Sequence, residues 1–240
     1  MIAQLPFYIP LVFILTTIAT LLLFYMAMRA STSAIVRKRS VLILIGLILW
    51  LALQGIFAIT GVFTATDAMP PRILLWGVLP ALITIIVLFL TTGGRAFIDS
   101  LPLTNLTYLH MVRIPVEIVL WWLFLNKTIP QLMTFEGRNF DILAGTTAPF
   151  VAYYGLQNGK QNRQAVLIWQ LIALGLLLNI VFNAILSAPT PFQKFAFDQP
   201  NVAIFYFPFS WLPAFIVQVV LFAHLAAIRQ LTVKARVVND

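Results

Sequence analysis

Residues 101–125 read "LPLTNLTYLHMVRIPVEIVLWWLFL", and this stretch decides the fold. At 1.5 Å per residue it is long enough to cross a hydrocarbon core of about 30 Å. Most of it is apolar, yet it carries His110, Arg113 and Glu117. A charge left in lipid costs at least ~2.5–3.5 kcal/mol on insertion scales. A helix with this composition must turn those three side chains away from lipid.

The rest of the chain resembles the setting such a helix needs. Of 240 residues, 61% are hydrophobic and 9% charged, against about 25% charged in a soluble domain. This composition predicts an integral membrane protein. Only helices and closed barrels satisfy every backbone polar group in lipid. The apolar runs are continuous, without the alternation of barrel strands. The expected fold class is therefore all-α, a polytopic seven-helix transmembrane bundle in one domain. A window of about 19 residues places its spans near 6–29, 40–62, 71–92, 101–125, 139–157, 164–187 and 203–230. The N-terminal run lacks a basic flank and an evident cleavage site, so it reads as a retained first span.

Turn-forming stretches separate the spans: "TDAMPPR" (66–72), "TTGGR" (91–95), "LQNGKQNR" (156–163) and "SAPTPFQKFAFDQPN" (187–201). The glycines of the second suit a helix C-terminus. The aromatic residues of the last suit an interfacial belt. One side holds ten lysines and arginines, Arg29, Arg37, Lys38, Arg39, Arg95, Lys160, Arg163, Arg229, Lys234 and Arg236; the other side holds Arg72, Lys127, Arg138 and Lys194. The excess predicts a cytoplasmic C-terminus and an N-terminus outside. The absence of cysteine excludes disulfides and thiolate metal sites and suits a bacterial inner membrane. The net charge of +8 is spread over short loops, with no basic stripe for nucleic acid. The partners expected are the bilayer and a small polar ligand or lipid headgroup. Small-xxx-small packing is weak and sets no oligomeric state.

On the fourth span, His110, Arg113 and Glu117 fall within about 60° of arc, with Trp121 on the same stripe. Arg113 and Glu117 stand one turn apart and are expected to pair. Pro115, between them, removes an N–H and frees the carbonyl of Met111. Span counting puts Arg113 near the midplane and Glu117 in the outer half, with His110 toward the cytoplasm. Asp141, at the outer end of span five, falls at a similar depth, as do Asn179 and Asn183 of span six and Gln54 of span two. Trp211 and Gln218 are expected to share a face of span seven. Together these ten residues predict one polar pocket opening outward.

Four functional classes are weighed on these residues. The first is binding, or transport, of a small polar or anionic solute or lipid headgroup that meets Arg113. The polar fourth span argues against a three-plus-one-plus-three carrier, in which that helix is mainly a linker. The second is an intramembrane lipid-modifying enzyme, with a carboxylate base and Arg113 steadying an oxyanion. No H-E-x-x-H or G-x-S-x-G signature accompanies it. The third is haem held by His110 and His224; by turn count His224 lies about 5 Å nearer the inside, which weighs against it. The fourth is a sensor. Span seven has no lysine, so a covalent retinal is excluded there, and no cofactor is expected.

Overall fold

The computed structural model of the chain describes residues 2, 5–157 and 162–239. Lys160 lies outside these residues, as do the side chains of Lys234 and Arg236, all three of which enter the orientation argument. Helix makes up 76% of the structure, with no strand among the described residues.

The packing is inverted relative to a water-soluble protein. Leu15, Leu22, Ile45, Leu49, Ile172 and Phe182 are exposed on helix flanks, whereas His110, Gln170 and His224 are completely buried. A continuous apolar exterior around a polar interior needs lipid, not water, as its solvent. The helices are α1 (Tyr8–Arg29), α2 (Ala34–Ile59), α3 (Leu74–Leu90), α4 (Thr92–Ser100), α5 (Leu103–Leu125), α6 (Asp141–Ala152) and α7 (Arg163–Ser187). Last comes α8, which opens with a π-helical turn at Leu212–Ile216 and continues as Val217–Asn239. Five of them, α1, α2, α5, α7 and the Leu212–Val233 part of α8, are long and apolar enough to cross a membrane. The bent pair α3–α4 makes a sixth if it counts as one span. This is the pattern of a multi-pass membrane protein.

Several boundaries differ from the sequence expectation, each for a local reason. α2 starts at Ala34 rather than near 40, because the Ser33 side chain accepts from the Val36 N–H and caps it. The basic triplet 37–39 therefore rides on its first turns. "TTGGR" does not simply end a helix. Thr91 caps α4 by accepting from Gly94 N–H at 3.1 Å, and the chain turns by 93° between α3 and α4. A Cβ at Gly94 would collide with the Leu88 backbone, so the corner requires glycine. α6 and the π-helical turn Tyr153–Gln157 that follows it cover about 25 Å, short of a full hydrocarbon core. Segment 203–210 is a 3₁₀ turn and a loop, not the start of span seven, since Pro208 withholds an N–H there.

α5 holds the centre. Its turn Leu109–Val112 is 3₁₀-helical, just ahead of Pro115, which cannot bond the Met111 carbonyl. α6 lies so close to it that a Cβ on Gly145 would stand 2.9 Å from Ile114 Cγ1 and 3.2 Å from Arg113 Cβ. At one end of the molecule Arg229 grips Asp99 at 2.9 Å, Ser31 meets Ser100 at 2.8 Å and Gln230 donates to the Ile98 carbonyl. At the other, Gln199 donates to the Ile129 carbonyl at 2.6 Å and Val202 N–H to that of Thr128. Tyr8 packs edge-on to Trp122 near the second end.

Gly145→Val should push α6 from α5 and lower stability by about 1–3 kcal/mol, the usual cost of overpacking. Thermal unfolding in a mild detergent measures it; an unchanged midpoint would refute the close approach.

Candidate functional site

Arg113 is the hub of the buried polar residues. The residue is 3% exposed, and its Nε lies 3.6 Å from Asp141 Oδ2. Nη1 and Nη2 donate to the Ala173 carbonyl of α7 at 3.2 and 3.3 Å. Nη2 also meets His224 Nε2 of α8 at 3.0 Å. Four helices, α5 to α8, thus converge on one guanidinium.

The expected Arg113–Glu117 pair is not formed. Glu117 Oε1 instead accepts from Asn139 Nδ2 at 2.6 Å. Two physical reasons apply. An arginine one turn N-terminal to a glutamate is the weaker orientation of such a pair. And α6, pressed against α5 through Gly145, brings Asp141 within reach of the guanidinium. Asn139 is fully buried and links the Glu117 carboxylate to the start of α6: its Oδ1 accepts the Asp141 backbone N–H at 3.1 Å.

The hydrogen-bond pattern fixes a tautomer. Arginine can only donate, so His224 Nε2 accepts and its proton sits on Nδ1. That N–H donates to Gln170 Oε1 at 2.6 Å. Gln170 Nε2 faces Thr107 Oγ1 at 3.5 Å, whose hydroxyl donates to Leu103 O. A directed chain of donors thus leads from Arg113 back along α5. His110 stacks on His224 with ring centroids 3.9 Å apart. It does not sit a turn away as span counting suggested, because α8 begins later and enters at a different height. Neither nitrogen of His110 makes a hydrogen bond. Both nitrogens of His224 are engaged, leaving no lone pair on that ring for a metal. Among the described residues no group of three or more His, Cys, Asp or Glu is placed to hold a metal ion.

Beside this cluster lies a partly open cavity of about 130 Å³ between α3, α5, α7 and α8. Val116, Leu120, Leu177, Ile180 and Val217 give it apolar walls, and it reaches Pro71, Thr190 and Ile204 at the end that holds Gln199 and Val202. Glu117, Asp141 and Gln218 also line it. Each has one oxygen, Oε2, Oδ1 and Oε1 respectively, that is buried without a hydrogen-bond partner. Arg113 and His110 are not among its walls. Gln218 borders a second cavity as well, about 440 Å³, walled by Phe24, Trp50, Thr84 and Phe222.

The remaining expected site residues are engaged elsewhere. Trp121 donates to Glu136 at 2.9 Å. Asn179 donates to the Arg138 carbonyl and Asn183 to that of Asn179. Gln54 donates to the Trp76 carbonyl, and Trp211 to that of Leu51. Asn139, Gln170 and the Ala173 carbonyl were missed as partners. Gln170 was legible as the one amide in the apolar run 165–178, but a backbone carbonyl leaves no mark on a sequence.

No protein-family model matches the chain, and no curated protein or solved structure shows significant similarity to it.

Arg113→Met strands Asp141 in the interior and should cost about 3–5 kcal/mol. Adding Asp141→Leu removes the stranded charge and should restore most of that loss. Unfolding midpoints of the two single variants and the double variant test this coupling; strictly additive losses would contradict it.

Proposed function

We propose that the chain crosses a cell membrane seven times and holds a lipid-like amphiphile, headgroup inward, in the cavity between α3, α5, α7 and α8. The topology draws support from two features. The connection 30–33, α4 with its flanking residues and the 229–233 part of α8 meet at one end, while 126–140 and 188–203 meet at the other. The basic excess lies on the first end, which makes that face cytoplasmic and the N-terminus external. α3 with α4, and α6 with its π-helical turn, then act as the third and fifth spans.

The observation that carries the binding reading is the cavity itself. Its walls are mostly apolar, and three of its polar liners, Glu117, Asp141 and Gln218, each keep an unsatisfied oxygen. Native interiors rarely leave buried acceptors unpaired, and those that do call for an explanation. A few convergent polar groups on apolar walls are the common form of a small-molecule site. A cavity near 150 Å³ admits a group the size of benzene, so this one suits a headgroup and its first carbons, the tail leaving through the open side.

Arg113 supports neither anion capture nor oxyanion stabilisation. Its Nη1 and Nη2 donate to Ala173 and His224, its charge is paired with Asp141, its Nε has no hydrogen-bond partner, and the cavity does not reach it. The readings with a small anion, or with an enzyme using Arg113, therefore stand behind that of an amphiphile bound through its own donors.

Two experiments follow. The chain has no cysteine, so single substitutions report topology cleanly: a membrane-impermeant maleimide on intact cells should label Asp198→Cys and spare Lys38→Cys. The reverse result would invert the orientation. Separately, native mass spectrometry after detergent exchange should find a bound amphiphile on the purified protein. Ala184→Trp, which fills the cavity, should lower occupancy at least tenfold while the protein stays folded; equal occupancy would place the ligand elsewhere.

A further inference from the structure

The buried charges around the cavity do not balance. α5 contributes Arg113 and Glu117, and α6 contributes Asp141. α8 contributes His224, neutral by its bonding to Arg113 and Gln170. His110, stacked on that ring, makes no ion pair or hydrogen bond. α7 faces the cluster with the Gln170 amide and a backbone carbonyl. One guanidinium thus stands against two carboxyl groups. Arg138, next in sequence to Asn139, does not correct the balance: it is exposed, with its guanidinium 5.9 Å from the Phe195 ring centroid.

The hydrogen-bonding capacity is lopsided in the same sense. The oxygens without partners on the cavity's polar liners are all acceptors: Glu117 Oε2, Asp141 Oδ1 and Gln218 Oε1. The amide nitrogen of Gln218 donates one of its two N–H groups to Pro213 O at 3.0 Å, and that of Asn139 gives both to Glu117 and Met133. No lysine or arginine among the described residues lines this cavity. A ligand that offers hydrogen-bond donors and one positive charge would satisfy both deficits together. A primary ammonium has three donors and one charge. The apolar walls require that it be carried on a hydrocarbon chain.

Building on the amphiphile reading above, we infer that the cavity selects a cationic amphiphile, an alkyl chain ending in a primary ammonium. The ammonium sits between Glu117, Asp141 and Gln218. Asp141 is shared between the ligand and Arg113. Glu117, held only by Asn139, takes the carboxylate form against the ammonium and so answers its charge. An uncharged alcohol of the same length fits the walls but leaves the carboxylate excess in place. A carboxylate of the same length adds to it and is repelled.

The test uses the full chain in zwitterionic nanodiscs, with protein-free nanodiscs subtracting membrane partitioning. Octylamine, 1-octanol and octanoate are titrated by calorimetry. Octylamine should bind at least tenfold more tightly than 1-octanol, and octanoate should not bind. Glu117→Gln should bring octylamine to within about threefold of 1-octanol while 1-octanol stays unchanged. Gln218→Leu should weaken octylamine severalfold, and neither variant breaks the Arg113–Asp141 contact. If octylamine and 1-octanol bind equally, or if Glu117→Gln leaves the preference intact, cation selection is overturned and the amphiphile cavity stands. If none of the three binds above the protein-free control, the cavity reading falls with it.

Discussion

The structure depends on how one guanidinium is kept out of lipid. Burying an arginine is costly, and the cost is recovered only when its donors find partners and its charge a counter-charge. Arg113 achieves this with a carboxylate from α6, a backbone carbonyl from α7 and an imidazole nitrogen from α8. Apolar surface gives little drive for helix association within a bilayer. Such polar contacts, with close packing at Gly145, are therefore what fixes α5 to α8 in register. These partners hold Arg113 away from the cavity, and Glu117 and Asp141 face it instead.

Prolines shape the opposite wall. Pro80 has no N–H for the Trp76 carbonyl, and Gln54 of α2 supplies the missing donor at 3.1 Å. α8 opens with a π-helical turn in which Val217 N–H bonds to Leu212 O. The return to the α repeat leaves one carbonyl without a backbone donor, and the Gln218 side chain donates to Pro213 O. Trp50 donates to the next carbonyl, that of Ala214. Turns of π-helix often sit at functional sites. Here two of them, Leu74–Val78 and Leu212–Ile216, contribute walls to the cavity. A side-chain donor at each keeps the irregular backbone affordable in lipid.

How much of this was legible in the sequence differs by level. The membrane class and five of the spans followed from composition and run length, because lipid constrains both. The inward stripe of His110, Arg113 and Glu117 followed from helical periodicity, and all three are buried. Their partners did not follow, because pairing is settled by neighbouring helices. Span counting put Asp141 near Arg113 in depth, but the i,i+4 rule favoured Glu117. The height of His224 did not follow either, because residues 203–210 are apolar enough to read as helix yet form a 3₁₀ turn and a loop. Of the amides, Gln54 secures a proline-freed carbonyl and Asn179 a loop carbonyl. Gln218 both secures a carbonyl and faces the cavity, a distinction that needs coordinates.

An experimental density map of the protein in lipid nanodiscs, at a resolution that shows side chains, tests the central claim most directly. The account predicts the Arg113 guanidinium packed against Asp141, the Ala173 carbonyl and His224. It also predicts elongated non-protein density whose polar end touches Glu117 and Asp141. A guanidinium turned into the cavity, or a cavity filled by its own side chains, would contradict it.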